Sequence, residues 1–402
     1  MMIESRRTRA HLDVTLILLV SGLSLFGVLA IAVATYSTSS DPSASLLSHI
    51  VSSTSAMRQC LFLLLSPVII SVMLNVPYDF IRRKAPLVYA LATFLVLFTL
   101  VTNGAQGVKA WTDLIWGYTI QPSEFIKLAL ILMLARTLAR YDRPMSNMKQ
   151  FIQLMVMVGI PGVIILASGE MGSLLVIVFI FAVMLYFSGT PFKVLLSLAA
   201  AGAIIIFLLV ALMMASGSDS YRLQRILAFL DPSAYALGDA YQQTHSKICI
   251  GSGGMWGKGM FVDGTWSQLD FVPADWTDFI FATIGEAWGF VGCTVVLLTY
   301  LAIILRMMYL AYNTRDKYGM LVIIGVMSMM LFHVFENIGM TLGLMPITGI
   351  PLPFLSYGGS NMVTNMGGIA LVLNVTKNRS LTSAAVSTPQ RSAMLKYYRG
   401  KL

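Results

Sequence analysis

The sequence predicts an all-α, polytopic integral membrane protein with about ten transmembrane helices and one large outer loop. Three observations carry this prediction: the composition, the length of the apolar runs and the distribution of the basic residues. Of the 402 residues, 57% are hydrophobic and only 11% are charged, whereas an ordinary soluble domain has roughly 25% charged residues. The composition therefore excludes an ordinary soluble domain.

Ten apolar runs are long enough to cross about 30 Å of hydrocarbon as helices. The first run is predicted to be a retained span and not a cleaved signal, because no small-residue cleavage site follows a short apolar segment. The predicted spans are 14–36, 59–77, 86–102, 122–140, 148–167, 171–188, 192–215, 277–305, 319–345 and 352–375.

Basic residues indicate the orientation. If the N-terminus is cytoplasmic, twenty of the 27 Lys and Arg fall on the inner side, as the positive-inside rule requires. We therefore predict one membrane domain over 1–402 with both termini in the cytoplasm and 376–402 as a cytoplasmic tail. The net charge of +9 then reflects contact with anionic membrane lipid, and no nucleic acid partner is expected, since no basic face is interleaved with aromatic residues.

The outer loop at 216–276, between the seventh and eighth predicted spans, is much longer than the other outer loops. Long ordered loops in compact folds are usually functional. A stretch at 221–229 has a helical pattern, and the part that follows is rich in Gly, Trp and acidic residues. The glycines of "GSGGMWGKG" (251–259) predict a close backbone approach and not a nucleotide loop, because the strand-to-helix context of a phosphate loop is missing.

Four segments resemble a known family: "GAQGVKAWTDLIWGYTIQPSEFIKL", "YQQTHSKICIGSGGMWGKG", "FVPADWTDFIFATIGEAWGFVG" and "NIGMTLGLMPITGIPLPFLSYGGSNMVTNMGGIALVLN". Together they are similar to the SEDS proteins (shape, elongation, division and sporulation), and more to the RodA branch than to FtsW. The resemblance runs in order through 104–374. It implies a peptidoglycan glycosyltransferase of cell elongation that polymerises lipid II on the outer face of the bacterial cytoplasmic membrane, with a class B penicillin-binding protein as partner.

The chain departs from the family pattern at two places. Where the family commonly has Gln-Pro-Asp-Leu-Gly, this chain has "SGEMG", with Glu170 in the acidic position. Where the family usually has Pro-Glu-x-His-Thr-Asp, this chain has "PADWTD", which keeps Asp278 and loses the common Glu and His.

Extending a glycan from a pyrophosphate-linked donor requires a base for the acceptor hydroxyl and compensation of charge on the leaving group. Asp278, at the outer end of the eighth predicted span, is the candidate base. The alternative role for Asp278 is to cap the helix, whose N-cap is predicted near Trp276 or Thr277. Asp275 is predicted to be an auxiliary charge at the same rim.

The outer cations Arg225, Lys247 and Lys258 are candidates for holding the pyrophosphates, with a divalent cation as a further possibility. Each of them alone is more often an ordinary surface charge. Trp111 is a candidate for stacking on a sugar, and its alternative role is an interfacial anchor.

Charged residues inside the spans are expected to be structural, since each needs a partner. Glu124 and Lys127 are spaced for an i,i+3 ion pair. Glu286 lies eight residues beyond Asp278, roughly 12 Å deeper on a continuous helix, and is therefore predicted to be a buried structural acid. His333, three residues before Glu336, is predicted to be a packed residue more readily than a proton relay.

The sequence leaves a second function open, a lipid II flippase or transporter, for which a break at Gly159, Pro161 and Gly162 in the fifth span would serve. The enzyme is favoured because the acidic residues and the long loop lie on one face. A scaffold that only recruits the penicillin-binding protein would need no outer acid.

Overall fold

The computed structural model describes residues 12–36, 45–101, 111–113, 119–215, 229 and 239–386. Within these ranges the fold is helical apart from one hairpin, which pairs β1 (Thr112–Asp113) with β2 (Thr119–Ile120). The helices are α1 (Val14–Ala34), α2 (Leu46–Ser52), α3 (Thr54–Asn75), α4 (Tyr78–Thr99), α5 (Pro122–Leu138), α6 (Met148–Ser168), α7 (Met171–Phe187), α8 (Phe192–Ala215), α9 (Asp239–Ser252), α10 (Ile280–Tyr312), α11 (Lys317–Thr341) and α12 (Gly359–Val386).

The predicted fold class is confirmed. In the described part of the chain, ten helices have 17 or more residues, and each corresponds to one predicted span. By length and composition, five of them are apolar enough to cross a membrane: α1, α3, α6, α10 and α11. Of the predicted loop 216–276, residue 229 and residues 239–276 are described, so the helical pattern at 221–228 lies outside the described residues.

Helix α11 lies at the centre of the bundle. In its most apolar window 78% of the residues are buried, against 11% for α3, and α11 packs against α5, α7, α10 and α12. The approach to α5 is close, because a Cβ on Gly325 would lie 2.5 Å from Ile131. Outer helices such as α3 expose apolar side chains, including Leu64 and Val68, as expected of a bundle surrounded by lipid.

The structure differs from the prediction in where the helices are broken. The predicted break in the fifth span is wrong, since α6 continues through Pro161; in an apolar bundle, neighbouring helices and local adjustment tolerate the lost N–H donor. The break occurs instead in α10 at Gly289, whose φ of 63° and ψ of −159° are not helical. Such a backbone conformation is accessible to Gly at little cost.

The end of the bundle that carries residues 253–279 and 345–358 is called the loop end below. The segment 345–358 has no helix, so α12 begins at Gly359 and not at 352 as predicted; Pro351 and Pro353 lack the N–H donors that a helix needs. At the other end, α12 continues to Val386. The first residues of the predicted tail 376–402 are therefore helical, and 387–402 lie outside the described residues.

Candidate active site at the loop end

A tight turn at residues 274–279 carries both candidate aspartates. The N–H groups of Thr277 and Phe279 donate to the carbonyl of Ala274 at 3.1 and 3.2 Å, and Ala274 has a φ of 61°. Because this turn uses the backbone up to Phe279, α10 begins at Ile280 with Phe279 at its N-cap. The predicted start at 277, with a cap at Trp276 or Thr277, is therefore three residues too early.

Three consecutive carbonyls of this turn are held from outside. The carbonyl of Trp276 accepts from the N–H of Tyr357 at 3.0 Å. The carbonyl of Thr277 accepts from Ser356 Oγ at 2.6 Å, and that of Asp278 from Asn337 Nδ2 at 2.7 Å. These three hydrogen bonds, called the carbonyl clamp below, tie the turn to α11 and to the 345–358 segment.

The clamp leaves the side chain of Asp278 half-buried. Its carboxylate lies beside Gly349, where an added Cβ would be 3.3 Å from Asp278 Oδ2. The predicted base is therefore fixed through its backbone, just before the N-terminus of α10. A half-buried carboxylate of this kind is accessible to a substrate hydroxyl and is less hydrated than one on an open surface.

Asp275 has a different environment from the rim position that the sequence suggests. Only 1% of the residue is exposed, its Oδ2 accepts from Thr283 Oγ1 at 3.3 Å, and Oδ1 has no hydrogen bond in the described structure. Burial raises the pKa of this carboxyl well above its ordinary value. In this conformation Asp275 is enclosed by protein and does not face a substrate.

Asp275→Asn is expected to change how thermal stability depends on pH. Because the native pKa is raised, the folded protein keeps a proton that the unfolded chain loses near pH 4. The free energy of unfolding therefore falls as the pH rises from about 4 toward the raised pKa, and the amide removes this fall. The Tm of Asp275→Asn minus that of the unmodified protein should increase between pH 4 and pH 8; a difference independent of pH would contradict the assignment.

Glu286 is the centre of a hydrogen-bond cluster that organises the loop end. Only 2% of the residue is exposed. Its carboxylate accepts from Lys258 Nζ at 2.6 Å and from the N–H groups of Trp266 and Ser267 at 2.9 and 3.0 Å. Ser252 Oγ and Cys249 Sγ each lie 3.2 Å away. The buried acid is thus matched by donors from the loop, consistent with the structural role predicted for it.

The glycine-rich loop packs directly on the first part of α10. A Cβ on Gly253 would lie 2.0 Å from the carbonyl oxygen of Gly285, and one on Gly257 would lie 2.2 Å from that of Ala287. Phe290 N–H donates to the carbonyl of Gly254 at 2.9 Å across the break at Gly289. The close backbone approach predicted for these glycines is confirmed, and the loop supplies bonds that the broken helix lacks.

The predicted substrate cations do not form one cluster in the described structure. Lys258 is paired with Glu286, and its side chain is 31% exposed. Lys247 is exposed on α9 and passes beside Gly343, where an added Cβ would be 3.3 Å from its Nζ. Arg225 lies outside the described residues, and Trp111 is 36% exposed just before β1. Pyrophosphate binding by these residues stays a prediction.

A second polar cluster lies inside the bundle between α5 and α11. Lys127 Nζ is 2.5 Å from Glu124 Oε1 and 3.0 Å from His333 Nε2. Glu124 and Lys127 are each 1% exposed, and His333 is fully buried. The i,i+3 ion pair predicted from the spacing is therefore present, and His333 of the central helix contacts the Lys127 ammonium through Nε2. A charged pair compensates part of the cost of burying both groups.

Several contacts that position the site were not predicted from the sequence. Asn337 and Ser356 belong to the clamp, and Gln59 of α3 donates to the carbonyl of Ser356 and accepts from the N–H of Gly358, each at 3.3 Å. Gln121 Nε2 donates to Glu170 Oε1 at 2.9 Å. The available signal was an uncharged amide within or beside an apolar run, which needs a partner when buried, but the sequence does not identify that partner.

No group of three or more His, Cys, Asp or Glu side chains that could hold a metal ion occurs among the described residues. A divalent cation at this site stays a prediction.

These features define a class: a polytopic membrane protein whose candidate site, a positioned carboxylate, lies just before a spanning helix and beside the 345–358 segment. The family model for the cell cycle proteins FtsW, RodA and SpoVE matches residues 14–381, and this chain belongs to that family. The resemblance inferred from the motifs is confirmed.

Similar proteins include the peptidoglycan glycosyltransferase MrdB of Escherichia coli K12, 33% identical over 324 residues that cover 79% of this chain and 85% of the relative. Stage V sporulation protein E of Bacillus subtilis is 32% identical, with 80% and 87% covered. Among solved structures, a peptidoglycan synthase complex that coordinates polymerization and crosslinking matches with a TM-score of 0.73 at 25% identity, covering 92% of this chain and 98% of that one. The Thermus thermophilus rod shape determining protein RodA shares the fold, with a TM-score of 0.65 at 24% identity and coverages of 92% and 97%.

Proposed function

We propose that this chain is a peptidoglycan glycosyltransferase that polymerises lipid II into β-1,4-linked glycan on the outer face of the bacterial cytoplasmic membrane. The observation that carries the proposal is the half-buried Asp278 carboxylate, held through the carbonyl clamp just before a spanning helix. Relatives with this activity in their names, at 32–33% identity, support it.

The mechanism needs one displacement with inversion, because an α-linked donor gives a β-linked product. The acceptor hydroxyl loses its proton to Asp278 as its oxygen bonds to the donor sugar, and the bond to the undecaprenyl pyrophosphate breaks with the electron pair leaving on the phosphate oxygen. A single general base is sufficient, so no covalent glycosyl intermediate is required. The position before the α10 N-terminus suits a hydroxyl arriving on a membrane-anchored sugar.

The activity is tested by giving the purified chain fluorescent lipid II and separating the products by size. Glycan ladders that lysozyme digests would support the proposal. A protein that is folded and binds lipid II but makes no glycan, with or without a class B penicillin-binding protein, would overturn it.

The proposed partner is that class B penicillin-binding protein, since glycan has to be crosslinked where it emerges. The similarity to a synthase complex that couples polymerization with crosslinking supports this pairing. Full polymerisation by the chain alone, with no partner co-purifying, would contradict activation by a partner.

The resemblance to the RodA branch supports a role in elongation, for which depletion should give rounded cells and not filaments.

A lipid II flippase is the second candidate, and the discontinuity of α10 at Gly289 is the observation that favours it. The N–H groups of Phe290 and Val291 in α10 donate to the carbonyls of Gly254 and Met255. These hydrogen bonds close the break with protein, which favours the enzyme. Liposomes that contain the chain and fluorescent lipid II distinguish the two. If lipid II from the inner leaflet becomes accessible to external dithionite and no polymer forms, the chain is a flippase.

The proposed orientation places the loop end outside and both termini in the cytoplasm. Cys249 is fully buried, so it is a poor reporter; Trp256 is 78% exposed and Tyr312, at the other end of α10, is 89% exposed. In intact cells an impermeant maleimide should label Trp256→Cys and not Tyr312→Cys, and lysis should make the second site reactive. The reverse pattern would invert the topology.

A further inference from the structure

We infer that Asn337 and Gly349 are positioning residues that set the direction of the Asp278 carboxylate. This inference rests on the function proposed for Asp278 and adds two residues to which the motifs assigned no role. It starts from one amide that makes two hydrogen bonds: Asn337 Nδ2 donates to the carbonyl of Asp278 at 2.7 Å and to that of Ile350 at 2.8 Å.

The amide therefore joins two chain segments that are distant in sequence. Asn337 is fully buried in α11, the central helix, so its position is set by the bundle core and not by the loop. Ile350 is only 4% exposed and directly follows Gly349, the residue beside the carboxylate. The Asn337 side chain thus binds both the backbone of Asp278 and the backbone of the segment that lies beside the Asp278 carboxylate.

Gly349 contributes space. Its φ is 71°, and a Cβ there would lie 3.3 Å from Asp278 Oδ2, tighter than an ordinary van der Waals contact. A side chain at 349 would strain the backbone and also push the carboxylate away from its observed direction. The other two clamp donors hold Trp276 and Thr277, so within the clamp Asn337 is the donor to the residue that carries the acid.

The chain offers a matched control for each residue. Asn374 is also fully buried, and its Nδ2 also bridges two carbonyls, those of Met73 at 2.7 Å and Val76 at 2.9 Å, at the opposite end of the bundle. Gly189 likewise has a positive φ, 96°, but an added Cβ would meet nothing within 4 Å. Neither control residue has a described contact with Asp278, and each substitution is expected to cause a comparable local loss of stability.

The test measures kcat and KM for lipid II polymerisation by the full chain in its partner complex, together with Tm. Asn337→Ala should lower kcat about 100-fold, the size of effect expected from a small misplacement of a catalytic group, with little change in KM. Gly349→Ala should act in the same direction. Asn374→Ala and Gly189→Ala should lower Tm comparably and leave kcat within about twofold.

Asn337→Asp separates positioning from simple packing. It keeps the size of the side chain, and when protonated it can donate to one of the two carbonyls. Its kcat should therefore exceed that of Asn337→Ala, and the advantage should be lost at high pH, where the carboxylate repels both carbonyls.

The outcomes separate this inference from the function on which it rests. If Asp278→Asn still polymerises normally, the assignment of the base fails and the positioning role fails with it. If Asp278→Asn is inactive while Asn337→Ala and Gly349→Ala lose no more kcat than their controls, the positioning role alone is wrong. If Asn337→Ala does not fold, the kcat of Gly349→Ala is compared with that of Gly189→Ala, and a lower kcat for Gly349→Ala supports the positioning role.

Discussion

Asp278→Asn is expected to reduce lipid II polymerisation by about 100- to 10,000-fold, the usual contribution of a positioned general base. The amide has nearly the same size as the carboxylate but cannot take a proton from the acceptor hydroxyl. The carbonyl clamp binds the backbone of the turn, so the fold and the binding of a partner should survive the substitution. Product ladders from fluorescent lipid II, measured beside Tm and partner co-purification, test this expectation.

The matched control is Asp263→Asn, which removes an exposed acid from the same loop and should leave the rate unchanged. Asp275→Asn should only weaken synthesis, since Asp275 is enclosed and touches Thr283. If Asp278→Asn keeps near-normal synthesis while Asp275→Asn is inactive, the two roles are assigned in reverse, and Ala274 and Trp276, where the chain departs from the family pattern, are the first positions to examine.

Glu286→Ala is expected to destabilise the loop end by on the order of 1–3 kcal/mol for each buried donor that loses its acceptor. The substitution leaves Lys258 and the N–H groups of Trp266 and Ser267 without their acceptor. Because the glycine-rich loop also closes the break at Gly289, the first part of α10 should loosen with it. Lower Tm and faster proteolysis within 253–267 are the expected readouts.

Two comparisons test the cause of this effect. Adding Lys258→Met to Glu286→Ala should recover part of the lost stability, since the unpaired cation is then removed. Glu336→Gln is the matched control: Glu336 is equally buried in a spanning helix, yet its Oε1 has no hydrogen bond among the described contacts, so neutralising it should be harmless. A Glu286→Ala protein as stable as Glu336→Gln would show that the cluster does not hold the loop.

Much of the fold could be predicted because each span is a local property. A run of about 20 apolar residues meets the hydrocarbon thickness by itself, so the ten long helices were predicted with errors mainly at their ends. The ends were misjudged where the backbone conformation depends on distant donors. The turn at 274–279, stabilised by Ser356 and Tyr357, delayed the start of α10, and Pro161 did not interrupt α6.

The sequence identified the acidic residues of the candidate site, but it did not predict how buried each one is or which groups it contacts. Asp275 and Asp278 are three residues apart, but one is enclosed by protein and the other half-buried, because the turn directs one inward and the clamp holds the other beside Gly349. Lys258 was a candidate for the substrate and is instead paired with Glu286. The partner of a charge depends on which segments meet in space.

By itself, the sequence determined the membrane class, the long apolar helices, the family and the i,i+3 pair of Glu124 and Lys127, because composition, run length and helical spacing act within a short stretch of chain. Only the tertiary structure decided which acid is enclosed, where α10 breaks and which donors hold the Asp278 backbone. Those features come from residues as far apart as Gln59, Asn337 and Ser356, brought together when α3 and α11 pack against the segment before α12. Burial and hydrogen bonding at a site are properties of that packing, and no local pattern encodes them.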